Sequence, residues 1–159
     1  MAIGGERADA TALRLAHAKA QAVVPRYPHD LIIGSDQVAV IGETRLGKPG
    51  GYERALAQLQ LVRGRTATFH TAICVLDAST GRSQSKSVPT LVHFRHYSDA
   101  QAERYLKREQ PYDCAGSAKI EGLGVALVQR VESDDPTALV GLPLIELVSM
   151  LESMGLDVL

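Results

Sequence analysis

The sequence predicts an α/β fold built on a mixed, partly antiparallel sheet flanked by helices. Three observations carry that expectation. Helix-type and strand-type periodicities alternate along the whole chain. Two adjacent strand patterns are separated by Ser79-Thr80-Gly81, a hairpin signal that makes part of the sheet antiparallel. No internal repeat, low-complexity tract or long linker interrupts the pattern, and 159 residues suit one domain or two small lobes around one cleft.

The elements follow in order. Residues 7–24 place Leu13, Ala16, Ala20 and Val23 at helical spacing, and Pro25 and Pro28 stop that helix. Leu31-Ile32-Ile33-Gly34 reads as a short strand, and after the polar pair Ser35-Asp36 the chain resumes as Gln37-Val38-Ala39-Val40-Ile41. Residues 52–62 put Leu56, Leu59 and Val62 on one helical face, with Gly64 as a stop. Residues 66–76 and 83–96 are the hairpin strands. Ser98-Asp99 starts a polar helix over 99–109. Residues 125–131 read as a strand. The longest apolar stretch, Ala138 to Met150, contains Pro143 and Glu146 and is too short to span a bilayer. It reads as a buried amphipathic helix that starts at Pro143, runs to about Ser153 and stops near Gly155.

Bulk composition excludes several function classes. The formal net charge is −1, without the basic surplus of a general nucleic-acid or anionic-membrane binder, although a local basic pocket is compatible with it. Five Tyr, two Phe and no Trp are too few aromatics for a single-strand stacking platform. Cys74 and Cys114 form neither a disulfide framework nor a CxxC site, and read as two reduced thiols. The N-terminus shows no apolar signal-peptide core. His93 and His96, three apart on an expected strand, point to opposite faces and make a poor metal pair.

The residues with chemical potential gather at the expected segment ends. Asp36 follows a strand and a glycine, where α/β proteins commonly bind ligands. Lys48 lies in Leu46-Gly47-Lys48-Pro49, a loop that lets backbone approach a ligand and is stiffened by proline. Asp113, Gly116, Ser117, Lys119 and Glu121 crowd a glycine-rich segment that suggests a backbone bent around something, though its spacing is not that of a Walker A loop. Taken singly, each has an ordinary structural explanation: a turn aspartate, or a solvated lysine or glutamate.

Together these stretches resemble the Maf-like nucleotide pyrophosphatases. The resemblance runs, in the family's order, through Arg14-Leu15-Ala16-His17-Ala18-Lys19-Ala20, Ile32-Ile33-Gly34-Ser35-Asp36-Gln37-Val38, Gly47-Lys48-Pro49 and Val92-His93-Phe94. It continues with Tyr105 through Gly122 and with Leu139-Val140-Gly141-Leu142-Pro143-Leu144. It implies a cytoplasmic α/β protein with two lobes around a nucleotide cleft, cleaving a nucleoside triphosphate to the monophosphate and pyrophosphate with a divalent metal, Mg or Mn. It implies Asp36 as catalytic carboxylate and metal ligand, and Lys19 and Lys48 as the charges on the phosphates. Gln37 and Glu121 match the subgroup acting on 7-methyl-GTP, where the pyrimidine-preferring subgroup has Thr and Gln. The expected partner is the nucleotide, with neither polymeric nucleic acid nor membrane, and a homodimer is left open.

The resemblance also marks a departure. Family members usually begin with a strand and a Ser-rich, Arg-containing phosphate loop that have no counterpart in residues 1–159. A start site placed too late, a shortened chain or a degenerate member each accounts for this. The expectation is a single domain without that strand and loop, with an exposed sheet edge and weak or no activity. The alternative reading is a non-catalytic nucleotide-binding or cell-division regulatory protein.

Overall fold

The computed structural model describes residues 5–159. It contains four α-helices, three short 3-10 segments and a five-stranded sheet of order β2-β1-β3-β4-β5, where β1 is Leu31–Ile41, β2 Thr44–Leu46, β3 Thr66–Asp77, β4 Ser83–Phe94 and β5 Val128–Glu132. The edge pairs are antiparallel, with Ala39 opposite Leu46 at one edge and Val92 opposite Val131 at the other. The β3–β4 hairpin is closed by the Asp77 amide donating to the Arg82 carbonyl at 2.9 Å. The predicted α/β class with a partly antiparallel sheet is the observed one.

The chain divides into two compact units. One comprises the residues up to Gln37 with His70–Pro89 and Ser133–Leu159; the other comprises Val38–Phe69 and Thr90–Glu132.

In the first unit, α1 (Ala8–Val23) buries a stripe of Ala12, Ala16 and Ala20, spaced four apart on one face. α4 (Leu144–Ser153) covers Ile73 and Val75 of β3 with Leu147 and Met150, and Leu142, Leu151 and Met154 pack around them. The helix expected from Pro143 to about Ser153 is α4, with Pro143 at its N-cap, but the apolar stretch that leads into it is not helical throughout and not wholly buried. Ala138–Val140 is a 3-10 turn, helix begins only at Leu144, and Leu144, Ile145 and Val148 are exposed, Ile145 by 56%. Gly141 at φ 124° breaks the run.

Asp135 fixes where α4 starts. Its carboxylate is buried, with the residue only 3% exposed. One oxygen accepts from the Thr137 amide (3.0 Å) and hydroxyl (2.6 Å), the other from the Ile145 (2.8 Å) and Glu146 (3.4 Å) amides of the first helical turn. Orphan amides and an N-terminal partial positive charge thereby meet an anion. Burial pushes this carboxyl upward, but those hydrogen bonds outweigh it and hold it below the ordinary carboxylate value. A depressed value means that the stabilisation is complete above the unfolded-state value of about 3.9 and is lost as pH falls through the folded value. Asp135→Ala is expected to lower stability by about 1.5–3 kcal/mol at neutral pH. Denaturant midpoints should show the mutant and wild type converging in acid. A mutational cost that stays constant down to pH 2 would assign Asp135 a packing role instead.

In the second unit, α2 (Tyr52–Val62) packs against α3 (Asp99–Glu109). The predicted start of α3 is a complete capping box, in which Ser98 accepts from the Gln101 amide and Gln101 accepts from the Ser98 amide. The Tyr97 hydroxyl donates to the Leu59 carbonyl at 2.5 Å, and Arg63 pairs with Asp99 at 2.7 Å, so both ends of the α2–α3 connection are tied. The strand predicted at 125–131 is displaced: Leu123–Leu127 form a 3-10 segment and β5 begins at Val128. His96 lies beyond the end of β4, so the opposite-face argument for it and His93 does not apply. His93 instead bonds Glu132 at 2.6 Å and the Thr66 hydroxyl at 2.9 Å. Both cysteines are free thiols. Among the described residues, no helix is long and apolar enough to cross a membrane.

Candidate active site

β1 is a single strand, and Asp36 lies within it rather than at the strand end expected from the sequence. The break inferred at Ser35-Asp36 is absent because both faces of the strand find polar partners. Residues two apart share a face, so Asp36 lies on the face of Gly34, while Ser35 and Gln37 lie on the other.

The Gly34 face receives α1. A Cβ built on Gly34 would stand 2.2 Å from the Ala16 carbonyl oxygen and 2.9 Å from the Ala20 amide nitrogen, so the helix backbone rests directly on the strand. That approach brings Lys19 to β1. Its Nζ lies 2.7 Å from Asp36 Oδ1 and donates to the Ser35 carbonyl at 2.9 Å. The Asp36 side chain is 15% exposed and the Lys19 side chain 58%, a half-sheltered carboxylate beside a cation still open to an incoming anion.

The other face is a polar lattice. The Ser35 hydroxyl lies 2.8 Å from the Ala72 carbonyl and 2.7 Å from the Gly141 carbonyl. The Gln37 side-chain nitrogen donates to the Thr71 hydroxyl (2.8 Å) and to the Ala138 (3.3 Å) and Leu139 (3.1 Å) carbonyls, and Thr71 itself donates to Ala138 at 2.8 Å. Gln37 therefore ties β1 to β3 and to the Ala138–Gly141 segment, and only its side-chain oxygen remains for a ligand.

The second unit holds the other two predicted residues. Lys48 is exposed in the loop between β2 and α2, and Glu121 is exposed in the turn before the Leu123–Leu127 segment. Gln58 of α2 joins the stretches that carry them. Its nitrogen donates to the Gly47 carbonyl at 2.8 Å, and its oxygen accepts from the Ser117 hydroxyl at 2.6 Å. Ser117 is fully buried at φ 59°, a left-handed conformation uncommon for serine, and the Gly116 amide also reaches the Gly47 carbonyl at 3.5 Å.

The Glu121 segment is further pinned to α3. The Tyr105 hydroxyl donates to the Ser117 carbonyl (2.9 Å) and accepts from the Lys119 amide (3.0 Å). Glu109 pairs with Lys119 at 3.1 Å and accepts from the Leu123 amide at 2.9 Å. That amide and the lysine hold the Glu109 carboxyl below its usual value. The glycines here serve the chain's own folding: a Cβ on Gly124 would meet the Lys119 carbonyl oxygen at 2.5 Å. A Cβ on Gly122 would meet the Glu109 carboxylate oxygen at 2.7 Å, so these two glycines make room for Lys119 and Glu109.

Sequence reasoning missed Ser35, Thr71, Gln58 and Tyr105 as organisers of the site. Their partners lie between 12 and 106 residues away, and no local pattern marks such pairings. Chemically, the first unit offers a carboxylate–ammonium pair, and the second an exposed ammonium and an exposed carboxylate on tied-down loops.

The family profile described as "Maf-like protein" matches residues 2–154. Among curated relatives, a 7-methyl-GTP pyrophosphatase of Cupriavidus metallidurans is 56% identical over 153 residues, 96% of this chain and 77% of the relative. One of Cupriavidus pinatubonensis is 59% identical over 153 residues, with the same coverage of both chains. A protein of the same name from Thiobacillus denitrificans is 57% identical over 155 residues, 98% of this chain and 77% of its own.

Proposed function

We propose that this chain, which belongs to the Maf-like family, is a nucleotide pyrophosphatase hydrolysing 7-methyl-GTP to 7-methyl-GMP and pyrophosphate. The observation that carries the proposal is the Lys19–Asp36 pair set on β1, in a chain 51–59% identical to several proteins of that name.

Hydrolysis between the α- and β-phosphates needs a water aimed at the α-phosphorus and neutralisation of the charge gathered on the leaving pyrophosphate. Asp36 is the group to orient the water and take its proton, and its strand placement fixes the carboxylate against drift. Lys19 and Lys48 are compact charges for phosphate oxygens. When phosphate binds, the Lys19 ammonium exchanges part of its contact with Asp36 for the substrate, which leaves the carboxylate freer to act as a base.

A divalent cation fits this donor set. Among the described residues no three His, Cys, Asp or Glu side chains converge on one point, so there is no preformed cage. Mg²⁺ is commonly held by one or two carboxylates together with substrate phosphates, and Asp36 supplies such a carboxylate. Bound there, the metal would offset charge on the phosphate oxygens. A cytoplasmic location belongs to the same proposal.

Base choice is assigned to Glu121. N7-methylated guanine carries a positive ring and presents N1–H and the exocyclic amine along one edge. A carboxylate accepts from both donors and complements the charge, whereas a carboxamide offers one acceptor and none of the charge. Glu121→Gln is expected to lower the kcat/KM ratio of 7-methyl-GTP over UTP by roughly tenfold to a hundredfold. An unchanged ratio would remove Glu121 from base recognition.

A further inference from the structure

The second unit contains a cavity that uses none of the residues given catalytic roles above. It has a volume of about 240 Å³ and is lined by residues of α3, of Arg95–Tyr97 and of Leu123–Leu127. Three of its walls' side chains are guanidiniums, from Arg95, Arg104 and Arg108, and none is a carboxylate. In a chain of net charge −1 this is a concentrated basic site.

The arginines are poorly compensated. Arg104 and Arg108 stand one turn apart on α3, where like charges repel. Both are exposed, and neither has a hydrogen-bond or ion-pair partner among the described residues. Arg95 is different: its Nε donates to the Val128 carbonyl at 2.8 Å, which steadies the guanidinium and leaves its terminal nitrogens available.

The rest of the lining is apolar. Leu123 and Leu127 contribute side chains, and Tyr97 and Tyr105 contribute rings whose hydroxyls are committed to Leu59, Ser117 and Lys119. Burial raises both phenols well above their ordinary value, so they add no negative charge.

We infer that this cavity is a second ligand site, taking a phosphate monoester whose phosphate meets the arginines and whose organic body lies on the leucines and tyrosine rings. Arginine forks match phosphate oxygens in bidentate fashion. The volume falls below the ~300–1,000 Å³ usual for drug-sized ligands, which fits a monoester better than a nucleoside triphosphate. The inference does not rest on the proposed reaction.

The test uses the full chain with methyl-labelled leucines and follows Leu123 and Leu127 by NMR during titration with guanosine 5′-monophosphate, and separately with inorganic phosphate. Saturable shifts at both leucines are expected, with the monoester binding at least ~5-fold tighter than phosphate. Arg104→Ala/Arg108→Ala, at two exposed positions where alanine favours helix, should weaken the monoester at least ~10-fold. Lys48→Ala should leave the shifts intact. The inference is overturned if inorganic phosphate binds as tightly as the monoester or the double variant binds like wild type. Loss of the shifts in Lys48→Ala would overturn it equally, by assigning them to the loop after β2.

Discussion

Asp36→Asn is expected to reduce turnover of 7-methyl-GTP by ~10²–10⁴-fold while leaving the fold intact. Asparagine keeps the shape of the side chain but can neither take a proton nor bring a negative charge to a metal. The substitution also removes the charge partner of Lys19, but that ammonium is mostly exposed and water solvates it in place of the carboxylate, while asparagine removes the half-sheltered negative charge itself. Thermal unfolding of the variant should therefore stay close to wild type. The assay is pyrophosphate release at saturating divalent metal, run beside a melting curve. Turnover within threefold of wild type would take Asp36 out of the mechanism. Lys19→Ala separates the roles of the pair further: it should raise KM more than it lowers kcat if Lys19 chiefly binds phosphate, and lower kcat if it chiefly holds Asp36 in line.

That expectation rests on a place in the fold that local sequence pattern misjudged. Ser35-Asp36 looks like an interruption between two apolar runs, because a half-buried strand is expected to alternate and not to carry consecutive polar residues. The strand continues because Ser35 is answered by carbonyls at Ala72 and Gly141, Gln37 by Thr71 and the Ala138 and Leu139 carbonyls, and Asp36 by Lys19. Tertiary supply of partners overrides local propensity. The same limit explains Leu123–Leu127, an apolar run that strand and 3-10 turn accommodate equally until its neighbours are known. It also explains Asp135, whose acceptors look outward to amides ten and eleven residues later. Elements governed by their own residues were legible: α1 with Ala16 and Ala20 on its buried face, the Ser98 start of α3, and the Ser79–Gly81 turn closed by Asp77. Leu13 and Val23, expected beside Ala16 and Ala20, are only partly buried, and Ala12 takes that face instead. The roles proposed for Lys19 and Glu121 come only from the resemblance, since by type alone both are solvated charges.

Gly34→Ala should be among the most damaging single-methyl additions this chain can receive. The new Cβ would sit 2.2 Å from the Ala16 carbonyl oxygen, 2.9 Å from the Ala20 amide nitrogen and 3.0 Å from the Ala20 Cβ. Two of these three atoms are helix backbone, so no rotamer change relieves the contact, and α1 must move away from β1. The Ala12, Ala16 and Ala20 face, fully buried now, would lose its packing as it lifts. Overpacking of this kind costs roughly 3 kcal/mol or more, about 6–12 °C in melting temperature for a domain of this size. The same movement draws Lys19 off Asp36, so kcat/KM should fall even at temperatures where the variant remains folded. Ala20→Gly in the Gly34→Ala background provides a sharp check. It removes the nearest side-chain atom but leaves the closer Ala16 carbonyl and the Ala20 amide in place. The double variant should therefore recover little stability, and a full recovery would mean that side-chain bulk, not the helix backbone, sets the distance between α1 and β1.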